Sequence, residues 1–337
     1  MKGGDTNMAS LKFVMSIRDY NDKVYGQLLN AFSDKVFPYD IYNCTVNFKT
    51  KLHSKVATLP LSKIKTTEIE LVFFGKIAAE ISIEDNSVLY YNGPKNLSEK
   101  EISVKKLRKY FKRDIVDENF EAQIELIGLR MVHTIILTMP WLDINNANLT
   151  IFIDDKKFKY KEYITYYPIH AEAHEEWPNL FNTKINVNQT WNWLIQNNIH
   201  VRDESNCPVA SILTYLLNRD YHEIMLYSVI GLEALYGDNK NKRSISFTLQ
   251  NRIHRLFPNI STGQIKNLYK ARSNYAHGDT TIGAYDLLLD LINGHFDHRK
   301  EAVFASAIYI ETIRMLIANN AVKIDFQEKL QVNYSFK

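Results

Sequence analysis

Arg272 and His277 frame the run Arg272-Ser273-Asn274-Tyr275-Ala276-His277, and their side chains are the two that handle phosphodiesters best. An imidazole moves protons near neutral pH, and a guanidinium binds two nonbridging phosphate oxygens at once. RNA carries its own nucleophile, the 2′-OH, so no metal-bound water is required. Histidine takes that proton or protonates the leaving 5′-oxygen, and arginine stabilises the charge developing on phosphorus. Asn274 and Tyr275 stand where they can position the phosphate or stack a base.

The surroundings carry the matching charge. Residues 239–278 contain no Asp or Glu, whereas Lys240, Lys242, Arg243, Arg252, Arg255, Lys266, Lys270 and Arg272 all fall there. Such a local field attracts a phosphate backbone, and a solvated lysine-bearing helix face is the plainer alternative. Ile265, Leu268, Tyr269, Arg272 and Ala276 recur at helical spacing, which sets Arg272 on an apolar stripe. A cation there needs a partner, because an unpaired buried charge costs several kcal/mol, roughly. Glu233, inside Val229-Ile230-Gly231-Leu232-Glu233-Ala234-Leu235, is the natural one, and such a pair by itself explains both residues. His277 precedes Gly278, in a final helical turn where a cap is the ordinary role. On a straight helix, residues five apart diverge by about 140° and about 7.5 Å. A joint site therefore needs the helix to end between them or a second copy of the chain.

Three pieces occur in order: Leu232-Glu233-Ala234-Leu235-Tyr236-Gly237, a basic helix, and Leu268-Tyr269-Lys270-Ala271-Arg272-Ser273-Asn274-Tyr275-Ala276-His277-Gly278. Over roughly residues 190–320 this resembles the HEPN superfamily, and its Apea-like branch in particular, through the Arg-x4–6-His signature. Many active members have Asn, Asp or His after the arginine; Ser273 stands here, as it often does in the Apea-like branch. The resemblance implies a dimerising helical bundle with two Arg–His motifs facing across the interface. It also implies a metal-independent ribonuclease with Arg272 and His277 catalytic and Ser273, Asn274, Tyr275 and Glu233 in support. Products would be a 2′,3′-cyclic phosphate and a 5′-OH, and the setting antiphage defence or a toxin-like system. RNA, such as tRNA, is then the substrate, contacted by Lys266, Lys270, Arg252, Arg255, Lys242 and Arg243. No cofactor or metal is implied. A catalytically silent HEPN module that binds RNA or protein is the alternative.

Other constellations are weaker. His170-x3-His174 with Glu175 and Glu176 has the spacing of a metal pair, but lies in an expected polar linker between Pro168 and Pro178. His295-Phe296-Asp297-His298 reads as a helix entry. Lys105, Lys106, Arg108, Lys109, Lys112 and Arg113 read as a solvated helix face or a second RNA or partner surface. Phosphate-cradling glycine loops, nucleophile elbows and Cys–His pairings are absent from the sequence.

These residues must be held by something. At 337 residues, 45% hydrophobic and 23% charged, the chain has the size of two folded domains. A net charge of +3 excludes a global polybasic coat, and two cysteines exclude a disulfide framework. The opening residues lack the apolar core of a leader peptide, so a reduced, cytoplasmic, membrane-free protein is expected. Alternation at 68–73, 79–83, 87–91, 148–153 and 157–163 predicts strands, with a capped helix from Ser98 and an ambiguous apolar stretch at 122–139. Helices are predicted at Thr190 onward, Pro208–Leu217, His222–Tyr236, Ser246–Phe257, Thr262–His277, Ala284–Ile292 and His298–Ala318. The reading is an α+β protein: a β-rich N-terminal domain at 1–185, then a helical HEPN domain at 186–337, with the boundary near Pro178–Asn188. The leading domain is expected to sense a phage-derived or system-encoded trigger, or to select substrate.

Overall fold

A computed structural model of the chain describes residues 8–18, 22–32, 35–41, 44–58, 65–76, 114–153, 156–157, 161–164, 169–200, 205–216, 221–237, 245–277 and 299–326. They divide into two compact units that interleave along the chain. Unit 1 takes Met1–Ser16, Tyr20–Met131 and Ala147–Tyr163, and unit 2 takes Ile17–Asp19, Val132–Asn146 and Ile164–Lys337.

The backbone of the first half runs as strands β1 (Met8–Arg18), β2 (Val36–Ile41), β3 (Cys44–Thr58), β4 (Lys65–Lys76), β5 (Ile144–Ile153), β6 (Lys156–Lys157) and β7 (Lys161–Ile164), with helix α1 at Asp22–Phe32. Strand order is β2-β3-β4-β1-β5-β6, and β7 pairs with β5. The long antiparallel ladder of β3 on β4 sets Leu52 opposite Leu71.

The expected fold class, α+β with a β-rich N-terminal domain, is corrected by where the packing lies. Over the residues whose side chains are described, the chain is 76% helical and holds no sheet. Only Ile17 and Ile144 of the strand residues enter the described core. The ambiguous stretch at 122–139 shows why. Its residues 130–137 are buried at every position rather than at alternate ones, as the end of the 25-residue helix α2 (Asp114–Thr138). Met131, Val132, Ile135, Ile136 and Leu137 are all buried there. The predicted strands at 79–91, the helix from Ser98 and the helix Ala284–Ile292 lie outside the described residues.

Unit 2 is a helical bundle. Helices α3 (Ile169–Glu176), α4 (Val187–Gln196), α5 (Tyr221–Tyr236), α6 (Ile245–Leu256), α7 (Thr262–His277) and α8 (Arg299–Ala318) are joined by 3-10 turns at Pro178–Leu180 and Pro208–Leu216. Helix α8 is the core helix, with Val303, Ile308, Ile310, Ile313 and Ile317 all inside. It meets α5 closely at Gly231, where an added Cβ would come within 2.6 Å of the Tyr309 ring. A glycine is what lets the Tyr309 ring seat against the α5 backbone. Tyr309 and Tyr236 bring hydroxyls into this core and satisfy them, Tyr309 on the Val209 carbonyl at 2.7 Å and Tyr236 with Thr312 at 2.7 Å.

Two helix starts differ from expectation. Asn186, not Thr190, caps α4, its side chain accepting from the Gln189 N–H at 2.9 Å. The Thr190 hydroxyl turns back to the Asn186 carbonyl at 3.0 Å. Pro208 begins a 3-10 segment rather than an α-helix. The supposed linker 169–176 is helix α3, with Ile169, His170 and Ala173 buried. Among the described residues no helix is long and apolar enough to cross a membrane.

Candidate nucleic-acid site on helix α7

Helix α7 starts on a reciprocal capping box. The Ser261 hydroxyl accepts from the Gln264 N–H at 3.2 Å, and Gln264 Oε1 accepts from the Ser261 N–H at 2.9 Å. From there the helix runs unbroken to His277. Ile265 and Leu268 anchor its inner side against the core. Without a break, Arg272 and His277 diverge by about 140° around the axis.

Each motif residue consequently has its own environment. Arg272 is half-buried on the inner side, and its Nη2 donates to Glu233 Oε2 at 3.3 Å. Both side chains keep some exposure, 24% for Arg272 and 19% for Glu233. Burial pushes the Glu233 carboxyl above its ordinary pKa, and the neighbouring guanidinium pulls it partly back. The arginine's Nε is buried without a hydrogen-bond partner among the described residues. One long bond therefore carries a group with five donors.

His277 is exposed at the helix end, on the opposite side. Lys266, Lys270, Ser273 and His277 fall within about 60° of one another on the helical wheel, and Asn274 borders them. Both lysines are exposed and Ser273 and Asn274 half-buried. The result is a solvent-facing stripe of two cations, a hydroxyl, an amide and an imidazole. Tyr275 lies elsewhere, its ring stacked on His222 of α5 with centroids 5.7 Å apart.

The remaining expected RNA contacts separate. Arg255 is exposed on α6. Arg252 points inward: its Nη1 donates to the Tyr236 and Gly237 carbonyls at 2.8 and 3.0 Å, and its guanidinium lies 4.6 Å from the Phe326 ring. It closes the end of α5, where the last carbonyls lack partners within the helix, and is not placed to meet RNA. Lys242, Arg243, the basic run 105–113 and the segment 295–298 lie outside the described residues. His170 and His174 are also accounted for. His170 Nε2 donates to the Leu142 carbonyl at 2.7 Å, and burial lowers its pKa to about 4. The His174 ring packs on Phe181, with its pKa lowered by burial and then by Arg314.

Sequence reading missed two features. His133 Nδ1 and His200 Nε2 share a hydrogen bond at 2.7 Å, 67 residues apart. His200 enters that contact from a turn with φ of 72°. Trp177, half-buried, lines a groove beside α7. Only the fold brings these partners together, although the Asn-rich turn before His200 was a local signal of left-handed backbone.

Comparison with family models, with curated proteins and with solved structures finds no match to this chain.

Proposed function

We propose that residues 190–320 act as a HEPN-type, metal-independent RNA endonuclease whose site is completed by a second copy of the chain. The observation that carries this reading is the incomplete pairing of Arg272. Glu233 holds the guanidinium in place by one 3.3 Å bond, while its Nε is buried and unpaired. The arginine side chain keeps 24% exposure, and its remaining exposed donors are what an oxyanion of a phosphodiester would engage.

The division of labour follows the helix. The stripe of Lys266, Lys270, Ser273 and His277 receives the strand, the lysines neutralising phosphates and His277 transferring the proton of the 2′-OH or of the leaving oxygen. Arg272 faces away from its own His277, so the arginine serving a given phosphate is the symmetry-related one. Bond formation from O2′ to phosphorus expels the 5′-oxygen, leaving a 2′,3′-cyclic phosphate and a 5′-OH end. DNA, lacking the 2′-OH, is inert. The setting is cytoplasmic antiphage defence or a toxin-like system, with the remainder of the chain receiving the trigger.

The Glu233–Arg272 bond also favours a second reading, a silent RNA- or protein-binding scaffold in which that pair is purely structural. Incubating the purified protein with tRNA or total RNA in EDTA separates the two. The endonuclease yields discrete fragments with cyclic-phosphate ends, and the scaffold leaves the RNA intact. Mixing wild-type chains with excess His277→Ala chains is expected to suppress cleavage more than dilution does. Strictly proportional loss would place a complete site in each chain.

A further inference from the structure

A shallow groove of about 170 Å³ opens along one side of α7, between that helix and the start of α8. Its walls are Trp177, Leu268 and Phe304, and its rim is Gln264, Asn267, Lys300 and Glu301. The volume is below the 300–1,000 Å³ or so that drug-sized ligands occupy, so the space suits one planar ring system rather than a whole nucleotide. Trp177 is fixed for such a role. Its ring packs on Phe304 with centroids 4.7 Å apart, and its backbone N–H donates to the Ala173 carbonyl at 3.0 Å, which holds the residue at the end of α3. An anchored aromatic wall under a polar rim is how proteins hold a base that has left its stack.

We propose that this groove holds a single unstacked guanine of the bound RNA strand, a few nucleotides from the phosphate at His277. The inference rests on the ribonuclease reading and adds to it a base-selecting subsite. The rim chemistry selects the base. Gln264 Oε1 is already engaged by Ser261, which leaves the amide NH2 as a donor. Lys300 adds a second donor, and two adjacent acceptors, O6 and N7, are what guanine presents. Asn267, exposed on the same rim, can donate or accept at the remaining edge.

The placement agrees with the strand path. Asn267 and His277 are separated by about 15 Å along the helix, a few nucleotides of extended chain. Around the helix, Asn267 sits about 80–100° from the centre of the lysine stripe. A strand with its phosphates on Lys266 and Lys270 can therefore turn a base sideways into the groove.

The test uses full-length His277→Ala protein, so that RNA survives, with pyrimidine-only oligoribonucleotides and the same oligonucleotides carrying one guanosine. Affinity is read by anisotropy of labelled RNA, and Trp177 fluorescence by difference from Trp177→Phe. The guanosine oligonucleotide should bind about tenfold more tightly and quench the Trp177 signal. Asn267→Ala and Lys300→Ala, both at exposed positions, should reduce that preference severalfold, as should Trp177→Ala if its melting curve is normal. RNA that the His277→Ala protein binds and the wild-type protein cuts with no preference for guanosine, or with a preference the groove variants leave intact, overturns the groove alone. Failure to bind any RNA overturns both readings.

Discussion

Two arginines of the helical unit are both drawn off the surface, and the structure treats them differently. Arg314 on α8 engages all three of its nitrogens: Nε on Glu311 at 2.8 Å, Nη1 on the Leu137 carbonyl and Nη2 on the Thr183 carbonyl. Glu311 in turn accepts from the Asn182 and Thr183 N–H groups and from the Thr183 hydroxyl. With side-chain exposures of 6% and 2%, this pair is a closed network that ties α8 to the segment ahead of α4. Arg272 on α7 makes one 3.3 Å bond and leaves Nε unpaired. A structural arginine is satisfied by its own chain. On the reading proposed above, one that is held but not satisfied is kept for a ligand outside the chain.

The sharpest way to break this contrast is truncation. Arg314→Ala leaves Glu311 buried without its cation and should lower unfolding free energy by about 3–5 kcal/mol in urea titration. Arg272→Ala should instead abolish RNA cleavage while the chain stays folded. Equal melting of Arg314→Ala and the parent would remove the basis of the comparison, as would full cleavage by a folded Arg272→Ala protein.

Acid should attack the closed region first. His133 and His170 are fully buried, and burial lowers both pKa values, that of His170 from 6.5 to about 4. Below pH 6.5 the unfolded chain therefore binds more protons than the folded one. Stability is full above that pH and falls as pH drops toward 4, by roughly 3 kcal/mol for His170 alone. Denaturation midpoints measured between pH 7 and pH 4.5 should fall accordingly, and His170→Gln should flatten the slope. A pH-independent midpoint would mean that neither ring is buried neutral.

The smallest effect belongs to the open pair. Glu233→Ala removes the acceptor of a half-exposed arginine and should cost about 1 kcal/mol, with Glu233→Gln costing less. A loss as large as that of Arg314→Ala would show that Arg272 is structural after all, and would favour the scaffold reading.

Much of the helical unit was legible as pattern. Thr262–His277 was readable to the residue, because an apolar stripe of Ile265 and Leu268 runs along it and Gly278 follows it. Tyr221–Tyr236 was readable to within one residue, apolar nearly all round and closed by Gly237. The fold class was not. Short alternating windows announced strands, but alternation reports two faces and says nothing about which elements gather the core. That was decided by α2 and α8, which are apolar on most sides and so draw neighbours from all directions.

The same divide runs through the site. Local sequence alone determined that Arg272 and His277 lie on one basic, acid-free helix and point to different sides of it, because helical periodicity fixes direction from spacing. It also singled out Glu233 as a charge needing a reason inside an apolar run. Tertiary structure decided which cations remain available. Arg252 and Lys270 share the same basic window, yet one is folded against the end of α5 and the other faces solvent. Nor could spacing reveal that Trp177, from the turn after α3, stands beside Asn267. Contacts between residues far apart in the chain depend on how whole helices pack, and no local pattern encodes that packing.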